Sequence, residues 1–193
     1  MSVEWVILVF EVSSMNPWHD ISSARMTTSR FLAVVEIPKG SKQKYEMDKE
    51  TGMLRLDRIL YTSTHYPANY GFLPRTLSDD GDPLDVLVLC AEPLHPLTLV
   101  DCYPIGVITM TDCEEMDEKI IAIPFGDPQM NSYTDISSLP PHIFAEIAHF
   151  FEVYKQLEHG KTTVDKVEGR VEAVLAIERA LEGYRKAFGN DMR

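Results

Sequence analysis

The apolar residues of this chain change their period once, and that switch restricts the fold more than any other feature. Before Pro124 they come in runs of strand length broken by turn residues. Phe31 to Ile37 is apolar and β-branched, with Glu36 embedded, and stops at Pro38. Lys44 to Met47 reads as the next strand, Lys49-Glu50-Thr51-Gly52 as a hairpin turn, and Met53 to Leu60 as its return. Val86 to Cys90, Val100 to Met110 and Lys119 to Pro124 are three more runs of strand length. Between them, Tyr61 to Asp82 is rich in Tyr, Pro, Asn and Gly and reads as one long irregular loop, a length usually kept for function. After Pro140-Pro141, which suit a first helical turn, Ile143, Ile147, Phe150, Phe151 and Tyr154 recur at helical spacing. Val171, Val174, Leu175, Leu181 and Tyr184 mark a second helix that ends near Gly189. A run of strands followed by helices predicts a mainly β fold with α, a barrel or sandwich with helices packed on it.

At 193 residues the chain is long enough for one domain with a real core. We place that domain at 31–193, with 1–30 as an extension and lead-in. Residues 15–30 are polar and turn-rich and read as a surface segment. The first 14 residues read as an extension, or as sequence upstream of a start at Met15. Val6 to Phe10 is far too short to span a bilayer, and Glu4 stands where a secretory signal wants a basic residue. Cys90 and Cys102 sit in apolar surroundings and read as buried thiols. With Cys113 they match no zinc spacing, and a reduced cytoplasm is the simplest compartment.

Charge then narrows the function. Lys plus Arg is 18 against 30 Asp plus Glu, a net charge of −12. Nucleic-acid binding needs cations that displace counterions, so this balance argues against it. The acidic residues are also bunched. Asp79-Asp80-Gly81-Asp82-Pro83-Leu84-Asp85 puts four carboxylates in seven residues just before an apolar strand. Like charges this close repel, and a cation between them removes that cost. Gly81 frees the backbone and Pro83 stiffens it, so several carboxylates can aim at one point. The plain alternative is a solvated acidic turn. A calcium EF-hand does not fit, because its alternating acids and helical flanks are missing. Asp112-Cys113-Glu114-Glu115-Met116-Asp117-Glu118 follows another strand and, taken alone, reads as an exposed hairpin tip. Together the two clusters suggest a shared site for several metal ions, suited to phosphate esters or anhydrides.

Such a substrate also needs cations and hydroxyls. Arg58 ends a strand, Tyr66 and Tyr70 lie in the irregular loop, and Tyr154-Lys155 lies on the first helix. Lys44 and Glu46 alternate along one strand and share a face. Each has an ordinary structural explanation: Tyr154 completes an apolar stripe, and a lone Lys is usually solvated. No Walker-type glycine loop is present.

Asp80-Gly-Asp82-Pro-Leu-Asp85-Val resembles the D-x-D-P-x-D-[VL] signature of the family I soluble inorganic pyrophosphatases. Lys44-Tyr45-Glu46, Gly52, Asp57-Arg58, Tyr66-Pro-Ala-Asn69-Tyr70-Gly71, Asp112, Asp117, Lys119 and His149-Phe-Phe-Glu152-Val-Tyr154-Lys155 follow in the family's order, from about Phe31 to Gly169. The resemblance implies an OB-like five-stranded β-barrel flanked by C-terminal helices. It also implies hydrolysis of pyrophosphate to two orthophosphates with several Mg²⁺ ions per site, Mn²⁺ being the alternative. By that resemblance Asp80, Asp85 and Asp117 hold the tightest metal, and Asp85 bridges to a second. Asp112 and Asp117 hold a further ion, and Glu46 another. Asp82 takes the proton of a water held between two metals. Lys44, Arg58, Tyr70, Lys119, Tyr154 and Lys155 grip the phosphates, with Tyr70, Arg58 and Lys155 counted with Asp82 among the catalytic groups. Glu36 and Tyr66 stand behind them.

The chain departs from several bacterial relatives at Cys113 and at Val153, where those relatives carry a glutamate and a histidine. By that resemblance a chain of this length is expected to form a homohexamer, with a dimer as the alternative. A nucleic-acid-binding OB module and an inactive metal-binding scaffold are the rivals, and the charge and the intact acidic and cationic sets speak against them.

Overall fold

The computed structural model describes residues 15–112, 115–158 and 160–189. Its strands are β1 (Phe31–Ile37), β2 (Gln43–Met47), β3 (Leu54–Ile59), β4 (Asn69–Phe72), β5 (Asp85–Val88), β6 (Leu99–Asp112), β7 (Glu115–Pro124) and β8 (Thr162–Gly169), with helices α1 (Pro141–Val153) and α2 (Arg170–Phe188). The main sheet runs β1-β4-β5-β7-β6-β8, and a further β1–β6 pairing closes five of its strands into a ring. That ring is the expected barrel. The long β6 makes closure possible: one edge pairs with β7, while the other pairs first with β1 and then with β8. Strands β2 and β3 form a separate hairpin.

The continuous apolar runs have a simple cause: both faces of these strands are covered. In β5, Leu87 belongs to the cluster packed under α1, while Val86 and Val88 belong to the cluster under α2. In β7, Ile121 and Ile123 face the first cluster, Ile120 and Ala122 the second. Strands β5 and β7 run parallel, so the chain between them must cross over, here by way of β6. Pro141 opens α1, and Gly189 closes α2 at φ +81°. Asp135 caps α2 from a distance, its Oδ2 accepting from Arg170 N at 2.9 Å.

Four expectations need correction. The stretch Tyr61 to Asp82 is not one irregular loop, because it contains β4. Asn69 and Gly71 look like turn residues, but each has another task. Asn69 Oδ1 accepts from the backbone N–H groups of Lys39 and Leu94 and ties loops to the barrel. A Cβ on Gly71 would lie 1.8 Å from Val34 O, so only glycine lets β4 approach β1. Strand β8 was not foreseen, since it is largely exposed and carries charges among its Thr and Val residues. The lead-in is not wholly surface: Trp18, Ile21 and Met26 are buried. Of the thiols, Cys102 is buried but Cys90 is only half-buried. The Cys113 departure and the Trp5 to Phe10 stretch fall outside the described residues. Among the described residues no helix is long and apolar enough to cross a membrane.

Candidate active site

A cleft of about 480 Å³ opens between the β2–β3 hairpin, the loop before β5, the ends of β6 and β7, and the end of α1. Glu36, Lys44, Glu46, Tyr66, Tyr70, Asp80, Asp82, Asp85, Asp112, Asp117, Lys119, Tyr154 and Lys155 all line it. Residues more than a hundred positions apart in sequence thus share one cavity. Arg58 is the exception among the expected residues. It does line up opposite Lys44 on β3, but its guanidinium turns to Asp57 and, at 2.6 Å, to Glu158.

Lys119 is the hub. It is 3 % exposed, and its ammonium meets Asp85 Oδ2 at 2.6 Å, Asp117 Oδ2 at 2.7 Å and Tyr70 Oη at 3.0 Å. Parallel pairing of β5 and β7 sets Asp85 opposite Lys119, and the alternation of β7 puts Asp117 and Lys119 on one face. The same alternation sends Glu118 to the other face, where Arg179 of α2 holds both its oxygens. The second acidic cluster is therefore split: part exposed hairpin, part site. Burial alone would lower the Lys119 pKa, but Asp85 and Asp117 outweigh it and raise it above its usual range. The ammonium stays charged.

The carboxylates show the opposite stress. Burial pushes Asp117 up to about 6, with Lys119 opposing and Asp85 adding to the rise. Burial also raises Asp80. Glu36 on β1 is pushed up to about 8, mainly by burial, against the Met47 N–H that its Oε1 accepts at 2.7 Å. It joins the hairpin to the barrel. The Tyr70 phenol is held well above its usual range by burial first and by Asp85 next, so it stays protonated and donates to Asp85 Oδ2. Tyr66 is wedged against Tyr70 and Phe150, with ring centroids at 5.4 and 4.8 Å. Lys155 donates to Asp112, and Lys44 to Glu46.

Among the described residues no three His, Cys, Asp or Glu side chains stand arranged as a ready-made metal cage. Lys119 separates Asp85 from Asp117. The donor chemistry nevertheless fits a hard divalent cation: carboxylate oxygens from several elements, with Asp80 and Asp117 made reluctant to ionise first by burial and then by neighbouring carboxylates.

Two lining residues escaped the sequence reading. Lys49 was read only as part of a turn, yet its ammonium pairs with Asp82. Arg55 sits opposite Glu46, 3.8 Å away. Neither had a local signal: alternation places Arg55 and Arg58 on opposite faces, and only the register shift between Lys44 and Tyr45 brings Arg55 opposite Glu46.

The chain is similar to known proteins over most of its length. The family model described as inorganic pyrophosphatase matches residues 33–185. Soluble inorganic pyrophosphatase 2 of Chlamydomonas reinhardtii is 48 % identical over 176 residues, spanning 91 % of this chain and 92 % of that one. Soluble inorganic pyrophosphatase 1 of Arabidopsis thaliana is 46 % identical over 178 residues, covering 92 % and 84 %. Among solved structures, the Helicobacter pylori inorganic pyrophosphatase superposes with a TM-score of 0.80 at 42 % identity, covering 82 % of this chain and 95 % of that one.

Proposed function

Because the chain belongs to the inorganic pyrophosphatase family, divalent-metal-dependent enzymes that hydrolyse pyrophosphate to two phosphates, we propose that this cleft performs that hydrolysis by direct attack of water, with Asp82 as the proton acceptor. The observation that supports it is the Lys119 hub, which ties both acidic segments and a phenol donor into one cavity.

Asp80, Asp85 and Asp117 would hold the tightest ion, Asp112 a further one with Asp117, and Glu46 another. Mg²⁺ would be the ion, with Mn²⁺ possible in its place. Bound there, divalent ions supply charge that acidifies water and neutralises phosphate oxygens. The chain's own groups do the rest. Asp82 lines the cleft in reach of solvent and takes the proton from the attacking water. Lys44, Lys119, Tyr154 and Lys155 present cations and a hydroxyl to the phosphates, and Tyr70 donates from below. Each of these lysines now holds a carboxylate. With those carboxylates committed to divalent ions, the three ammonium groups would be free to turn to phosphate oxygens. Arg58 would join them by leaving Glu158. Glu36 and Tyr66 fix the backs of these groups. We assign one catalytic domain to 31–193, joined by the packed part of the lead-in. The cytoplasm is its expected compartment and a homohexamer its favoured assembly, with a dimer as the alternative.

The test is direct. Purified protein should release phosphate from pyrophosphate with Mg²⁺ and stop with chelator. Asp82→Asn should lower kcat by about 10²-fold with an unchanged far-UV spectrum. Near-normal turnover would remove Asp82 from its role. Hydrolysis in labelled water of a pyrophosphate analogue made chiral at phosphorus by sulfur and oxygen isotopes should show inversion, and retention would contradict direct attack.

A further inference from the structure

The loop carrying Asp82 is gripped from across the cleft by a clamp of three segments. The hairpin turn after β2 is locked by Asp48, whose Oδ2 accepts from Thr51 Oγ1 at 2.7 Å. The lead-in then presses on that turn. Asn16 Nδ2 donates to Lys49 O at 2.9 Å, and a Cβ on Gly52, at φ +70°, would lie 2.7 Å from Met15 O. The lead-in is also fixed to the base of the acidic loop. Trp18, 4 % exposed, donates its indole N–H to Thr76 O at 2.8 Å, and Thr76 Oγ1 accepts from Leu84 N at 2.8 Å. From the far side of this clamp the Lys49 side chain returns to the loop. Its ammonium pairs with Asp82 Oδ1, lies 3.4 Å from Gly81 O, and stands 5.9 Å from the Trp18 ring centroid.

We propose that Lys49 is a positioning residue for Asp82. The ammonium selects one orientation of a carboxylate that sits in an exposed glycine-containing turn, and the Trp18 face and the pinned turn restrict where the ammonium can go. The turn holds the Asp82 backbone, with Ser78 N donating to Asp82 O at 2.8 Å and Asp82 N to Asp80 Oδ1 at 2.9 Å, but these bonds leave the Asp82 carboxylate itself free to rotate. An anchor from outside supplies what the loop lacks. The proposal rests on the reading of Asp82 as proton acceptor.

Steady-state kinetics on Lys49→Met, Lys49→Arg, Asp82→Asn and the Lys49→Met/Asp82→Asn double variant test it. Methionine keeps an apolar stem of similar length at a half-exposed position, so folding is preserved, and a thermal melt verifies this. Lys49→Met should lower kcat by about 10-fold while KM for pyrophosphate moves by less than about 2-fold. Lys49→Arg should restore most of the loss. In the Asp82→Asn background, Lys49→Met should cost less than about 2-fold more, because both changes remove the same function. Losses that multiply in full would overturn the proposal, as would a loss confined to KM, which would make Lys49 a phosphate ligand. A crippled Asp82→Asn beside a fully active Lys49→Met sinks the proposal and spares the Asp82 reading. A fully active Asp82→Asn sinks that reading first.

Discussion

Helices α1 and α2 both lay an apolar stripe on the barrel wall, yet only one of them ends in chemistry. Helix α1 buries Ile147, Phe150 and Phe151, and the next residues along the stripe, Tyr154 and Lys155, enter the cleft. Helix α2 buries Ala173, Ala176, Ile177, Ala180 and Tyr184. Its three alanines let it lie close there, and at Gly183 a Cβ would already be 2.9 Å from Leu77 O. Its link to the acidic loop is backbone: Leu77 N donates to Ala180 O at 2.9 Å. Large aromatics on α1 hold a cavity open, and small residues on α2 close the opposite side. The sequence periods of the two helices are alike. What separates them is side-chain size and the residues just past the stripe.

This contrast predicts that damage on the cleft side couples stability to charge, whereas damage under α2 is plain packing. The largest effect is expected from Lys119→Met. It removes the buried ammonium that half-buried Asp85 and Asp117 share, and because those carboxylates keep some water the cost should fall at the low end of that for breaking a buried pair, about 3 kcal/mol. Denaturant melts of the chelated protein should show that loss, and added Mg²⁺ should recover part of it by supplying charge to the same carboxylates. A loss indifferent to Mg²⁺ would break the contrast. Ala173→Leu forces bulk between α2 and the barrel and should cost about 1–3 kcal/mol, with kcat unchanged below the melting range. An equal fall in kcat would mean that α2 also shapes the site.

The smallest effect sharpens the point. Asp135→Ala removes the acceptor at Arg170 N and should cost about 1 kcal/mol at neutral pH. Hydrogen bonds from Arg170 N and then Ser137 hold the Asp135 pKa below its usual value. A depressed carboxylate stabilises the fold above its unfolded pKa, near 4, and loses that contribution as pH falls through the folded value. The gap between wild type and Asp135→Ala should therefore be full at pH 7 and close below about pH 4. Melts at several pH values would check this, and a gap that persists in acid would show a purely steric effect.

Much of the barrel was legible because two-sided burial writes continuous apolar runs, as in Val86 to Leu89 and Ile120 to Ile123, and the helices because their stripes are regular. The missing pieces fail for local reasons. Strand β4 is spelled with turn residues because close approach to β1 demanded glycine at 71, and β8 sits at the edge of its sheet with little to bury. Trp18 looked like part of a polar tail, since its partner Thr76 is 58 residues away. At the site, the acidic residues announced themselves by crowding. Lys49 did not, because a lysine in a hairpin turn is ordinary until the fold brings Asp82 to it. The turn of Arg58 toward Glu158 depends on a contact no local pattern encodes.

The parallel seam between β5 and β7 has a kinetic corollary. Asp85 and Lys119 meet only after the chain has travelled out along β6 and back, so the ion-binding pocket is assembled by a long-range closure and not by any single hairpin. A chain with that seam unmade would have the acidic loop but no hub. Divalent ions should then act as a ratchet on the finished ring, slowing its opening while leaving the rate at which it first forms nearly untouched.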